Sequence, residues 1–329
     1  MKEYDFIKYI SEKRRQSPAQ INKAFEADAE IVKLNDSQWA ITVDEFSAEE
    51  DFFIHEDPQI IGWNLAVATI SDLFACGVKP KFFMQTILNS NKDCDTFYKK
   101  LMDGVFEVLD ACDCFLLGGD IGTAVNWRYS GIALGEVKNK AITRVIEHKE
   151  DLDIWITGTC GDSNLAILQG SNIPRFELRI DEADMINKFA SACTDTSGGF
   201  CDAVWNLKKV NPGFNFDINL DMIPFDSSLL KLMQKYNLPP ELSLIGGAGE
   251  YELLLLAPKN RADEFKKHST FTKIGSVCPD SEKASVRFFK NDILTGEMLQ
   301  PPPCYRSCNE ADYLKITNEY YEHNFKREK

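Results

Sequence analysis

Apolar residues recur along this chain alternately at helical and at strand spacing, which predicts layered α/β structure in both halves. Residues 1–25 read as a charged amphipathic helix with Phe6, Ile7 and Ile10 on one side, followed by a turn through 26–32 into a strand. A second strand over 39–43 ends at Asp44, with an acidic loop over 45–51 behind it. Residues 66–80 are almost continuously small or apolar and read as a buried helix, begun by Asp57-Pro58 and stopped by Gly77 and Pro80. A strand over 81–88 follows, then a helix over 96–111 with Phe97, Leu101, Val105, Val108 and Leu109 at helical spacing. A short buried strand over 114–117 runs into Gly118-Gly119-Asp120, and 129–136 reads as another strand.

The pattern turns polar around 145–151, which places a boundary between one domain over 1–149 and another over 150–300. The second half reads as a strand at 154–157, a glycine turn at 158–161, helices from Ser163 and over 184–191, and a strand at 192–194 ending on Asp195. Helix 200–210, strand 214–220, helix 226–236, strand 251–257, helix 262–268 and strand 271–277 complete it. Pro301-Pro302-Pro303 breaks the alternation, and residues 301–329 read as a polar, aromatic tail packed on the body.

Length and 44% hydrophobic content suit two domains of ordinary size. A net charge of −14 argues against nucleic-acid and anionic-membrane partners, and an anionic ligand would need a divalent cation between it and the protein. Ten cysteines without a Cys-x-x-Cys pair, behind an N-terminus that reads as no signal peptide, are expected to be reduced thiols in a cytoplasmic protein. No apolar run has the length of a membrane span.

Four aspartates share one context. Asp44 ends a strand, Asp72 lies inside the greasy helix, and Asp120 and Asp195 each follow a strand beside glycines. Carboxylates at strand ends face the edge where ligands bind α/β sheets, and a few carboxylates with phosphate oxygens suit magnesium. No P-loop, dinucleotide fingerprint or nucleophile elbow is present, and four scattered histidines make no triad.

Taken together, Thr42-Val-Asp44, Ser71-Asp-Leu-Phe-Ala-Cys-Gly77 with Pro80, Leu117-Gly-Gly-Asp120, Arg144, Thr157-Gly-x-x-Gly-Asp-Ser163, Asp195-Thr-Ser-Gly-Gly199 and Glu250-Tyr-Glu-Leu253 resemble the AIR synthase-like superfamily. Within it they most resemble the thiamine-monophosphate kinases, over roughly residues 1–280. The resemblance implies an N-terminal α/β half that forms a shared β-barrel in a homodimer, with a C-terminal α/β half packed on it. It implies ATP in a cleft and magnesium on Asp28, Asp44, Asp72, Asp120 and Asp195, with Thr42, Gly119, Arg144 and Ser197 beside the nucleotide.

The departures concern acids and the acceptor. The family's paired Asp-Asp is Ala27-Asp28 here, and its Asp-x-Ser-Asp-Gly is Asp195-Thr-Ser-Gly198-Gly199. Asp51 stands where the kinases carry a substrate-contacting histidine, and Gly-Gly-Glu-Asp-Tyr-Glu-Leu becomes Gly247-Ala-Gly-Glu250-Tyr-Glu-Leu253. Asp51 and Glu250 are therefore the expected acceptor contacts, and an aspartate there favours a neutral or cationic small molecule. The resulting expectation is an ATP- and magnesium-dependent kinase for a small heterocycle. An α-ribazole (nucleoside-type) kinase and a non-catalytic nucleotide-binding dimer are the alternatives.

Overall fold

The computed structural model describes residues 3–49, 57–90, 94–280, 285–303 and 310–326. Its first sheet takes β1 (Glu30–Leu34), β2 (Ser37–Ser47), β3 (Phe82–Ser90), β4 (Phe115–Ala124) and β5 (Arg128–Val137), in the order β1-β2-β5-β3-β4. The second takes β6 (Leu152–Thr157), β7 (Ala192–Asp195), β8 (Phe214–Asn219), β9 (Leu253–Pro258), β10 (Phe271–Pro279), β11 (Val286–Lys290) and β12 (Ile293–Met298). Its order is β12-β11-β8-β10-β6-β9-β7. Among the described ladders β3–β4 and β8–β11 run parallel and the others antiparallel. The helices are α1 (Glu3–Lys13), α2 (Pro58–Ala75), α3 (Asp95–Ala111), α4 (Asp162–Gln169), α5 (Ile180–Phe189), α6 (Phe200–Val210), α7 (Ser227–Lys235), α8 (Ala262–Lys266) and α9 (Glu310–Asn324).

Helix α2 ties the two sheets together. Asp57 accepts the Gln59 N–H at 3.1 Å, Pro58 opens the first turn, and Gly77 leaves the helix with φ +66. From Ile61 to Ala75 every residue is buried except Trp63 and Asp72. The helix packs on α3, β2 and β5 and also touches α5, β7 and β9. Leu65 and Phe74 thereby share one core with Trp155, Leu253 and Leu255 of the second sheet. Glycines set the α2–α3 crossing: a Cβ at Gly62 would lie 1.8 Å from the Leu101 carbonyl oxygen, and one at Gly104 1.9 Å from that of Gln59.

Several elements differ from the sequence expectation. α1 ends at Lys13 and leaves Phe6 and Ile10 exposed. β2 runs on to Ser47, because Asp44 and Glu45 keep the ladder to Gly131 and Ser130 of β5, so Asp44 lies within the strand. β4 extends through Gly118-Gly119-Asp120 to Ala124 and is exposed along nearly all its length, since it pairs only with β3 and its other edge is open among the described residues. The β11–β12 hairpin was not anticipated. Its turn, Asn291-Asp292, has both residues left-handed at φ 49 and 59, the two-residue geometry that suits strand twist. α9 packs on this edge as expected of the tail, with Phe325 stacked on Phe288 at a ring distance of 4.1 Å. No described helix is long and apolar enough to cross a membrane.

Candidate metal and nucleotide site

Asp72, half-buried on α2, faces two other acids. Asp28 comes from the segment before β1, and Asp195 is the last residue of β7. One carboxylate oxygen from each of Asp28, Asp72 and Asp195 lies within 4.8 Å of the others. Each acid is fixed by a neighbour. Thr42 on β2 donates to Oδ2 of Asp72, and Ser71 donates to Oδ2 of Asp195 at 2.6 Å. The Ser197 N–H reaches Oδ1 of Asp195 at 3.1 Å. Thr194 donates to Oδ1 of Asp28 at 2.9 Å, and Arg144 pairs with the same oxygen while its Nε donates to Thr194 at 3.0 Å. The Arg144 backbone N–H in turn holds the Glu26 carbonyl at 2.7 Å, which pins the segment carrying Asp28.

Three carboxylates at this spacing repel one another strongly in a partly dry site. Burial pushes Asp28 up to about 6, against the pull of Arg144. Burial also holds Asp72 well above the usual carboxylate range, and the charges of Asp44, Asp195 and Asp28 add to it. Oδ2 of Asp28 is buried and has no hydrogen-bond partner. One arginine against this acidity, with an orphaned oxygen at its centre, is the donor set of a hard divalent cation. The residues fit magnesium.

Asp44, half-buried on β2, is close enough to act on Asp72 and completes the acidic wall. Asp120 is not brought to it. Across the ladders Asp44 is in register with Gly131, Gln85 and Gly119, whereas Asp120 aligns with Thr86, Ser130 and Glu45, one residue out of phase. Its carboxylate therefore lies on the opposite face of the sheet, exposed, accepting only the Ile121 N–H at 2.9 Å among the described contacts. Gly119 is exposed on the same strand. Ser197 is exposed at the rim, and Arg144 faces Asp28. Glu250 is buried in the second half, where its carboxyl accepts the Ser163 N–H at 3.3 Å at the start of α4; burial and Asp162 push it up to about 8. Asp51 lies outside the described residues.

Ser71 and Thr194 were missed as site residues. Both sit beside a singled-out aspartate, and that adjacency was the available signal. Arg179 and Glu252 were missed as well: they form a buried pair, Nε to Oε2 at 2.7 Å, below the turn at Gly158. A Cβ at Gly158 would fall 2.1 Å from Oε1 of Glu252.

Residues 26–137 match the family model described as AIR synthase related protein, N-terminal domain. A thiamine-monophosphate kinase of Archaeoglobus fulgidus is 28% identical over 269 residues, covering 78% of this chain and 86% of the relative. That of Methanocaldococcus jannaschii is 26% identical over 314 residues, covering 86% and 95%. A solved structure of AaThiL complexed with AMPPCP and TMP superposes with a TM-score of 0.75 at 22% identity, over 88% of this chain and 94% of that one.

Proposed function

From the premise that this chain has the AIR synthase-like fold and is an ATP-dependent kinase, we propose that it transfers the γ-phosphoryl group of ATP to a small heterocyclic metabolite. The observation that carries the reading is the convergence of Asp28, Asp72 and Asp195, with a buried Asp28 oxygen left unpaired. Asp44 would join them in holding magnesium, and Asp120 would be added as described below. Magnesium, when bound, supplies charge neutralisation between these carboxylates and the phosphates. The chain's own residues then position. Thr42, Ser71 and Thr194 fix carboxylate rotamers, Arg144 holds Asp28 in place, and the exposed Ser197 stands where a nucleotide oxygen can reach it. Phosphoryl transfer needs little else, which suits a chain with no P-loop or triad. AMPPCP, an ATP analogue, together with TMP in a neighbour of the same fold supports a nucleotide and a small acceptor meeting in one cleft.

The working unit of this reading is a homodimer. β4 offers an open edge on which Phe115, Leu117 and Ile121 are exposed. A partner pairing along this edge would cover them and carry Asp120 and Gly119 toward the other chain's acids.

The acceptor is read as neutral or cationic, because Asp51 replaces the family's histidine. Phosphoryl transfer from ATP with magnesium, measured against thiamine, thiamine monophosphate, α-ribazole and purine intermediates, tests this. Turnover on thiamine monophosphate would assign the relatives' substrate, and turnover on α-ribazole the nucleoside alternative. ATP binding with no turnover on any acceptor would contradict the kinase reading and leave a nucleotide-binding dimer.

A further inference from the structure

Tyr251 is held left-handed at φ 56, a conformation that bulky side chains rarely adopt. A clamp on either side imposes it. The Glu250 N–H reaches the Thr196 carbonyl at 3.3 Å, and the Glu252 N–H reaches Oγ1 of Thr196 at 3.0 Å. The Thr196 N–H returns to the Glu252 carbonyl at 2.8 Å. Thr196 directly follows Asp195, so the strained turn is fastened to the loop that carries one of the three gathered acids.

The turn brings the ring back beside Gly249. A Cβ at Gly249 would lie 2.9 Å from Cε2 and 3.0 Å from Cζ of Tyr251, and 2.5 Å from the Ser197 carbonyl oxygen. The phenol end therefore borders Ser197, which is exposed at the rim, and takes space that a side chain at 249 would need. The kinases' Gly-Gly-Glu-Asp-Tyr-Glu-Leu motif has a glutamate at that position, so here an aromatic ring fills the place of an acid. Phe176 backs the ring, with centroids 4.7 Å apart; Phe176 is buried and Tyr251 half-buried.

Helix α2 fixes this backing. Oδ1 of Asn64 accepts the Phe176 N–H at 2.9 Å, its Nδ2 donates to the Pro174 carbonyl at 3.0 Å, and Nε1 of Trp63 donates to the Phe176 carbonyl at 2.8 Å. Asn64 and Ser71 are seven residues apart, hence on one face of α2 and roughly 10 Å apart along its axis. Ser71 holds Asp195. The aromatic pair thus stands on the side of the helix that faces the acids, displaced from them by the length of a small molecule. Arg175, packed on the Trp63 ring at 3.5 Å, pairs with Glu107 at 3.2 Å, so the cation at the end of this wall already has an anionic partner within the protein.

Resting on the kinase reading above, we propose that the half-buried ring of Tyr251, backed by Phe176, is the surface on which the acceptor's planar ring stacks. Tyr251 is then a specificity-determining residue for a neutral or cationic heteroaromatic acceptor. A π face attracts such rings by stacking and by cation–π contact, and the clamped backbone aims it at the rim where Ser197 stands.

Calorimetric titration of thiamine, thiamine monophosphate and α-ribazole into the full chain loaded with magnesium and AMPPCP tests this without turnover. Wild type is expected to bind at least one of these three ligands. Tyr251→Asn removes the ring and keeps a residue that tolerates the left-handed backbone. It is expected to weaken that ligand at least about fivefold while AMPPCP affinity stays within about twofold. Tyr251→Phe, which keeps the ring, is expected to bind as wild type does. Equal affinity in wild type and Tyr251→Asn would overturn the proposal, as would a loss in Tyr251→Phe as large as that in Tyr251→Asn. So would absence of binding by all three ligands. A matching fall in AMPPCP affinity would make Tyr251 a support for the Asp195 loop and overturn it as well. Failure of AMPPCP to bind wild type would instead sink the kinase reading, a separate result.

Discussion

Glu250 shows how one buried group sets a pH dependence. Its carboxyl sits on the amides that open α4, with Asp162 nearby, and the folded state holds its proton up to about pH 8. An unfolded glutamate releases its proton near 4.3. The folded state therefore binds this proton more tightly, and the resulting stabilisation is complete below about pH 4 and lost as pH rises through 8. Glu250→Gln keeps the shape of the protonated form and removes the titration. Melting temperatures should consequently move in favour of the variant between pH 5 and pH 8.5, whereas parallel curves would contradict the assignment. At this scale Asp72 was legible because a carboxylate in an apolar run must find a partner. Ser71 and Thr194 were not, since hydroxyls in apolar elements read as filler until the fold brings an acid to them.

Elements were legible where periodicity and turn chemistry agreed, and obscure where exposure depends on distant partners. The capped start of α2 and the heptad-like face of α3 announced themselves; their close approach through Gly62 and Gly104 did not, because it belongs to neither helix alone. Gly62→Ala should destabilise by about 1–3 kcal/mol or more through overpacking, read as a lower urea midpoint. An unchanged midpoint would mean that α2 and α3 can separate without cost. The 114–117 run reads as a buried strand from its residues, yet β4 is an exposed edge, and no local pattern distinguishes the two. The β11–β12 hairpin was missed because Asn-Asp lacks the glycine that marks such turns most strongly. Through that hairpin α9 is part of the fold: Phe325→Ala, which removes the stack on Phe288, should cost roughly 3–5 kcal/mol in urea unfolding. Loss of less than 1 kcal/mol would return the tail to an appendage.

At the scale of the whole molecule, two sheets joined by α2 place Asp72 where both halves meet, with Asp28 delivered by one half and Asp195 by the other. The order of elements and the acids were readable; the face on which each acid ends up was not, because a one-residue phase difference across three ladders separates Asp44 from Asp120. The homodimer reading follows from that separation. Sedimentation should give about twice the 37.3 kDa chain mass. Leu117→Lys with Ile121→Lys should give monomers that bind ATP weakly and transfer no phosphate. A fully active monomer would contradict it.

The central claim is that acids from both halves hold a cation beneath a triphosphate. Calorimetric titration of AMPPCP into wild type and Asp72→Asn, with and without magnesium, tests it most directly. The account predicts tight binding only in wild type with magnesium and a loss of at least about tenfold, roughly 1.4 kcal/mol, in the variant. Equal affinity in both proteins, indifferent to magnesium, would contradict it.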